Sequence, residues 1–400
     1  MIDRWQNMVQ RLETRPLSGI ACRDIAGEIE MMMIHLPVDP GAAMLDIARQ
    51  CLRLMTPLPG ASEIRDILSR CLIRLGRVNH RLGNPELATD LFTQAADCAR
   101  IAECPHLEAI AYMEIGELAR RRGDLNTAHT YQSGALTISE ATGLDREQAD
   151  ALNNMANIAI ESGDLDTAEC LLTRSLAIAE DIGETRLEGH IYNNLGVINS
   201  LRGCFDEAIA DFTRALPRRE QAGDEKGVSE TYHNLGLAYL DSGNPALSDT
   251  YIKKALEKAR DIRDAGQETH ILLTVTELLY HTMDYAYALT MAEQLTHRQV
   301  EIDDQPGLAE TKKLMGRIFL DQGAIEQAEH ALSNAANMFR ELGMLPGEAE
   351  TLKELGICCR RQGRITESNS YLHQARTLFE YLGNRREIDS IDTIDPLSPA

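Results

Sequence analysis

Apolar residues along most of this chain recur three and four positions apart, the spacing that gives a helix one apolar stripe. In the clearest stretch, TRLEGHIYNNLGVINSLRG is followed by CFDEAIADFTRALPRREQAG, so two helices are predicted between residues 185 and 223. Ile191, Tyr192, Leu195, Ile198 and Asn199 mark the expected buried stripe of the first helix. Ala208, Ile209, Phe212, Ala215 and Leu216 mark that of the second. Gly203 suits a tight turn between them, and Gly223 a helix end whose left-handed backbone costs glycine little.

The pattern repeats with a fixed period. Glycine stands at 83, 123, 163, 203 and 243, gives way to Met283, and resumes at 323 and 363, forty residues apart each time. A second glycine keeps the beat at Gly76, Gly116, Gly196, Gly236, Gly316 and Gly356, with Ala156 and Thr276 at the intervening places. A third falls at Gly143, Gly183, Gly223, Gly343 and Gly383. Fixed self-similarity of this kind predicts stacked helical units, in which a repeated surface rather than a pocket is the first place to look for function. Gly196 is expected to let the paired helix approach closely. Asn84-Pro85 and Asn244-Pro245 predict an N-cap followed by the first helical residue.

Leu195, Gly196, Ala208, Phe212 and Ala215 follow the order L-G, A, aromatic, A, and this resembles the tetratricopeptide repeat. The resemblance covers roughly 60 to 383 in eight units, the one at 264–303 being degenerate. Repeats of forty residues are similar to those of kinesin light chains, the spindle-orientation adaptor LGN and the Rap and PlcR peptide-sensing regulators. The resemblance implies an all-α fold, a right-handed α-solenoid whose first helices line a concave groove, and a binding function. Residues 1–60 are then a helical cap with a divergent first repeat, 61–383 the array, and 384–400 a tail that frays.

Composition narrows the function. A formal charge of −22 disfavours generic nucleic-acid binding, which needs a positive footprint. The N-terminal MIDRWQNMVQRLETR is charged and amphipathic, unlike a signal sequence, and no apolar run is long enough for a membrane span. Nine cysteines without CxxC spacing suit a reducing cytoplasm. Cys358-Cys359, Cys98 with Cys104, and His270 with His281 read as packing residues, because zinc needs four convergent ligands. No phosphate-binding loop, nucleophile elbow or acid-base constellation is present in the sequence, so neither an enzyme nor a cofactor is expected.

The period also serves as a ruler. Under the resemblance, the groove side of a first helix corresponds to 190, 193, 194, 197 and 201, one helical face. Stepping by forty gives Asp150, Asn153, Asn154 and Asn157; then His190, Asn193, Asn194 and Val197; then Glu230, His233, Asn234 and Leu237. Asn154, Asn194 and Asn234 form a ladder. An amide offers donors and an acceptor to an extended peptide whatever its side chains; it can equally bond neighbouring helices and hold the stack in register. Arg70, Arg74, Arg77 and Arg81 share one face, either as an anchor for an acidic partner or neutralised by Glu114 and Glu117.

Met283 and Thr276 mark the degenerate unit, read as drift or as a place where the array bends or docks. Pro217 is expected to kink or shorten its helix. The expected partner is a protein or an extended peptide, with no nucleic acid and no membrane. Similar bacterial arrays adjoin protease or ATPase domains, so a separately encoded effector such as a protease is implied here. The leading expectation is a non-catalytic adaptor or scaffold; the alternative is a peptide sensor of the Rap or PlcR type that changes shape on binding.

Overall fold

The computed structural model describes residues 2–14, 19–35, 42–55, 64–382 and 384–394. Gly383, the Pro37 to Gly41 connection and the chain after 394 lie outside the described residues. Among those described, every regular element is a helix. Three precede the repeats: α1 (Ile2–Thr14), α2 (Gly19–Ile34) and α3 (Ala42–Met55). Pairs follow as α4 (Arg65–Arg81) and α5 (Pro85–Ile101), α6 (Pro105–Arg121) and α7 (Leu125–Thr142), α8 (Asp145–Glu161) and α9 (Leu165–Ile182). Next come α10 (Thr185–Leu201) and α11 (Phe205–Gln221), then α12 (Glu225–Asp241) and α13 (Pro245–Asp261). The remainder are α14 (Ala265–His281) and α15 (Tyr285–Glu301), α16 (Gln305–Asp321) and α17 (Ile325–Leu342), α18 (Leu345–Arg361) and α19 (Ile365–Leu382), and α20 (Arg385–Ile394).

The helices form two compact units, one of residues 1–120 with 126–155, the other of 121–125 with 156–400. In the first, Trp5, Met8 and Leu12 of α1 are buried in one core with Ile25, Ile29 and Met33 of α2. Met31, beside them, stays exposed. In the second, the first helices α10, α12, α14, α16 and α18 are successive neighbours, each also packed on its own second helix.

The glycine beats have distinct physical causes. At the turns, Gly83, Gly123, Gly163, Gly203, Gly243, Gly323 and Gly363 all have positive φ. Met283 keeps that conformation at φ 62°, and its turn has the same two hydrogen bonds as the glycine turn at 243. The missed beat is therefore not a break in the backbone. Within the pairs, a methyl group on Gly196 would stand 2.6 Å from the ring of Phe212, and one on Gly316 2.5 Å from Leu332. Close approach requires glycine there. Thr276 departs from this, and the buried residue sixteen on is Ala292 rather than a large side chain. The exchange does not restore the fit, for α14 and α15 approach less closely than α12 and α13 or α16 and α17.

A further size rule joins each repeat to the next. Arg219, Gln299 and Phe339 crowd Gly227, Gly307 and Gly347, eight residues on, where a methyl group would stand 2.6, 2.8 and 2.5 Å away; at Gly227 and Gly307 the capping Asp224 and Asp304 carboxylates stand closer still. Where the earlier residue is small, the later carries a side chain: Ala99 with Leu107, Ala179 with Leu187, Ala259 with Gln267, all buried. Outside this layer Arg100, Arg260 and Arg340 pair with Glu108, Glu268 and Glu348, again eight residues on, at 2.9, 2.7 and 2.7 Å.

Caps follow the sequence in part. Asn244 accepts from Leu247 N, while Asn84 stands at its N-cap without a side-chain bond. Asp164, Asp224, Asp264, Asp284 and Asp304 supply caps that the pattern of apolar residues does not disclose. Pro217 does not shorten α11, which keeps the 17 residues of α10. The tail expected to fray is instead helical over α20: Ile388, Ile391 and Ile394 give it an apolar stripe, and Ile391 is buried.

Candidate functional site

In the first unit the ruler leads to a cavity of about 490 Å³. Arg77 of α4 lines it, with Ile110, Met113, Glu114 and Glu117 of α6 and Asp150 and Asn154 of α8. All of these occupy the register read from 190, 193, 194 and 197. His106, Arg146 and Glu147 complete the wall. Arg77 pairs with Glu114 at 2.6 Å, and His106 Nδ1 lies 2.8 Å from Glu147 Oε1. Glu117 is engaged by Arg120. Gln132 stands where other units bury an apolar side chain against glycine; it donates to the Met113 carbonyl and faces the Asn154 amide at 3.4 Å. Ile110 and Met113 lie two steps of forty before 190 and 193, so the period alone reaches them.

The arginine face of α4 is largely spoken for. Arg70 pairs with Glu30 and Asp66, and Arg74 donates to the Ile34 carbonyl at 2.7 Å. Arg81, at the helix end, is exposed. The neutralising reading suits Arg77, whose partner is the expected Glu114.

In the second unit the asparagines are cross-linked. Asn194 Nδ2 donates to Asn157 Oδ1 at 2.8 Å. Asn193 Oδ1 accepts from Thr231 Oγ1 at 3.2 Å and from Asn234 Nδ2 at 3.1 Å. Asn193 and His233 are 7% and 5% exposed, so these expected face residues are turned into the layer between helices; Asn153 of the first unit, at 7%, is likewise buried. Asn154, Asn157, His190, Asn194, Val197, Glu230 and Asn234 remain partly exposed. The split follows from helix geometry, since consecutive residues point about 100° apart.

Electrostatics vary along this face. A hydrogen bond from His190, 3.0 Å away, holds the Asp224 carboxyl down at about 2. Burial, and then the charge of His270, push the His233 imidazole down to about 4. Further on, Lys313 lies between Glu310 and Glu350 at 2.7 and 2.6 Å. Burial raises the carboxyls of Glu277 and Glu354 beside this group. Burial also pushes the Cys51 and Cys71 thiols up to about 12, far from a nucleophile's range. No helix among the described residues is long and apolar enough to cross a membrane.

Comparison with solved structures finds proteins of similar fold and size. A Rap protein complexed with competence and sporulation factor aligns over 91% of this chain and 99% of its own, at 13% identity and a TM-score of 0.61. The Rap conjugation gene regulator of plasmid pLS20, in complex with a Phr peptide, aligns over 100% and 97%, at 14% and 0.53. Aspartyl phosphate phosphatase F from Bacillus subtilis aligns over 86% and 94%, at 12% and 0.57. At such identities the likeness is one of fold. No curated protein matches the sequence. Tetratricopeptide repeat models match residues 107–181, 187–261 and 313–377, together more than half of the chain. With the repeat period and the paired helices, these matches establish that the chain belongs to the tetratricopeptide repeat family.

Proposed function

We propose that the chain binds an extended segment of another protein, or a peptide, along the face of its first helices. It acts without chemistry of its own, as an adaptor or scaffold that presents the segment to a separately encoded effector or withholds it. The observation that carries this reading is the row of half-exposed amides held by their neighbours, Asn194 by Asn157 and Asn234 by Asn193. An amide can make up to four hydrogen bonds, so Asn234 is oriented for a ligand while spending one of them on its neighbour. Holding side chains in place beforehand lowers the ordering cost of binding.

A second reading, a sensor that changes shape when a peptide binds, is favoured by the likeness to a Rap regulator in complex with a Phr peptide. Panning a random peptide library on the immobilised chain tests the common core of both readings. Alanine at Asn154, Asn194 and Asn234 is expected to abolish capture of the selected peptides with helical content unchanged. Undiminished capture sinks the proposal. Solution scattering then separates the two: the profile shifts with peptide for a sensor and stays fixed for an adaptor.

A further inference from the structure

We propose that the cavity of the first unit is a subsite for one cationic side chain, arginine or lysine, of the bound peptide. This assignment rests on the peptide-binding reading and names the chemistry of one anchor. At about 490 Å³ the cavity lies within the usual range of ligand sites, about 300 to 1,000 Å³. Its lining has two parts. Ile110 and Met113 give an apolar surface, while four carboxylates share the wall with two guanidinium groups and the His106 imidazole. The acids are also placed: Glu147 is 8% exposed beside His106, and Glu114 is held by Arg77.

Each alternative side chain meets a penalty. An acidic one adds like charge to a wall already rich in it. A purely apolar one takes water from carboxylates and gives nothing back. Arginine and lysine satisfy both parts, because their aliphatic stems cover apolar surface while the charged head reaches polar surroundings. Arginine fits better, since its planar fork can bridge two carboxylate oxygens.

The probes are pools of short random peptides, acetylated and amidated, each with one position fixed as arginine, lysine, norleucine or glutamate. Retention on the immobilised full chain is read by mass spectrometry. The arginine and lysine pools are expected to be retained about tenfold over norleucine, and the ratio to fall to about twofold or less in Glu147→Gln/Asp150→Asn. Ile110→Phe, which fills the cavity and leaves every carboxylate, is expected to abolish the preference too. Thermal melts identify a variant that fails to fold, and the other then decides. Retention of all pools without a cationic preference overturns this assignment and leaves peptide binding standing. A preference that survives both variants places the anchor elsewhere and also overturns it. No retention of any pool overturns both readings together.

Discussion

Asn193 of one repeat accepts a hydrogen bond from Asn234 of the next at 3.1 Å, from within a layer that leaves it only 7% exposed. The bond makes a side chain of the proposed binding face depend on one that never reaches it. Asn193→Ala removes an acceptor from both the part-buried Asn234 amide and the buried Thr231 hydroxyl, a loss of about 1 to 2 kcal/mol. Urea titration should show that decrease. Peptide capture should fall as well, because Asn234 is no longer held.

Gly347 and Phe339 give a test of the rule between repeats. A methyl group at 347 would stand 2.5 Å from the ring, so Gly347→Ala is expected to cost about 1 to 3 kcal/mol. The double variant Phe339→Ala/Gly347→Leu imitates Ala179 and Leu187. It should unfold at a higher urea concentration than Gly347→Leu alone; equal midpoints would refute size matching.

Met283 holds a left-handed backbone that suits glycine. Relief of that strain is worth about 1 kcal/mol, so Met283→Gly should raise the melting temperature by a few degrees. Gly243→Met should lower it. A drop on Met283→Gly would mean that the exposed side chain contributes contacts outweighing the strain.

His233 predicts acid lability. Its folded value of about 4 lies below the ordinary value of 6.5, so the unfolded chain binds the proton more tightly. Stability is therefore full above about pH 6.5 and declines as pH falls toward 4, by about 3 kcal/mol in all. His233→Asn restores the residue found at 153 and 193. Urea unfolding at pH 7 and pH 5 should differ in the parent and differ less in this variant.

The period, the turns and the first-helix face were legible because each recurs in phase. Gly196 against Phe212 could be anticipated from the repeat alone. Asn193 and Asn194 could not be told apart so easily: both fit the face by spacing, and a rotation of one residue buries the first. Met283 and Thr276 marked one degenerate unit, as drift or as a place to bend or dock: the turn at Met283 keeps the glycine conformation, while α14 and α15 pack more loosely than the neighbouring pairs where Thr276 replaces the close-packing glycine. The isoleucines of α20 read as a tail because acids separate them, yet their spacing of three residues is helical.

The matching of residues eight apart has a genetic consequence. Tandem arrays grow and shrink by unequal recombination, which adds or removes whole units of forty. A unit opening with Gly227 suits a predecessor ending in a large residue such as Arg219, Gln299 or Phe339; one opening with Leu187 suits a predecessor ending in alanine. Most reshuffled orders of these repeats would thus join two large residues or leave a void. The junctions act as addresses, and the order of the first-helix face is inherited with them.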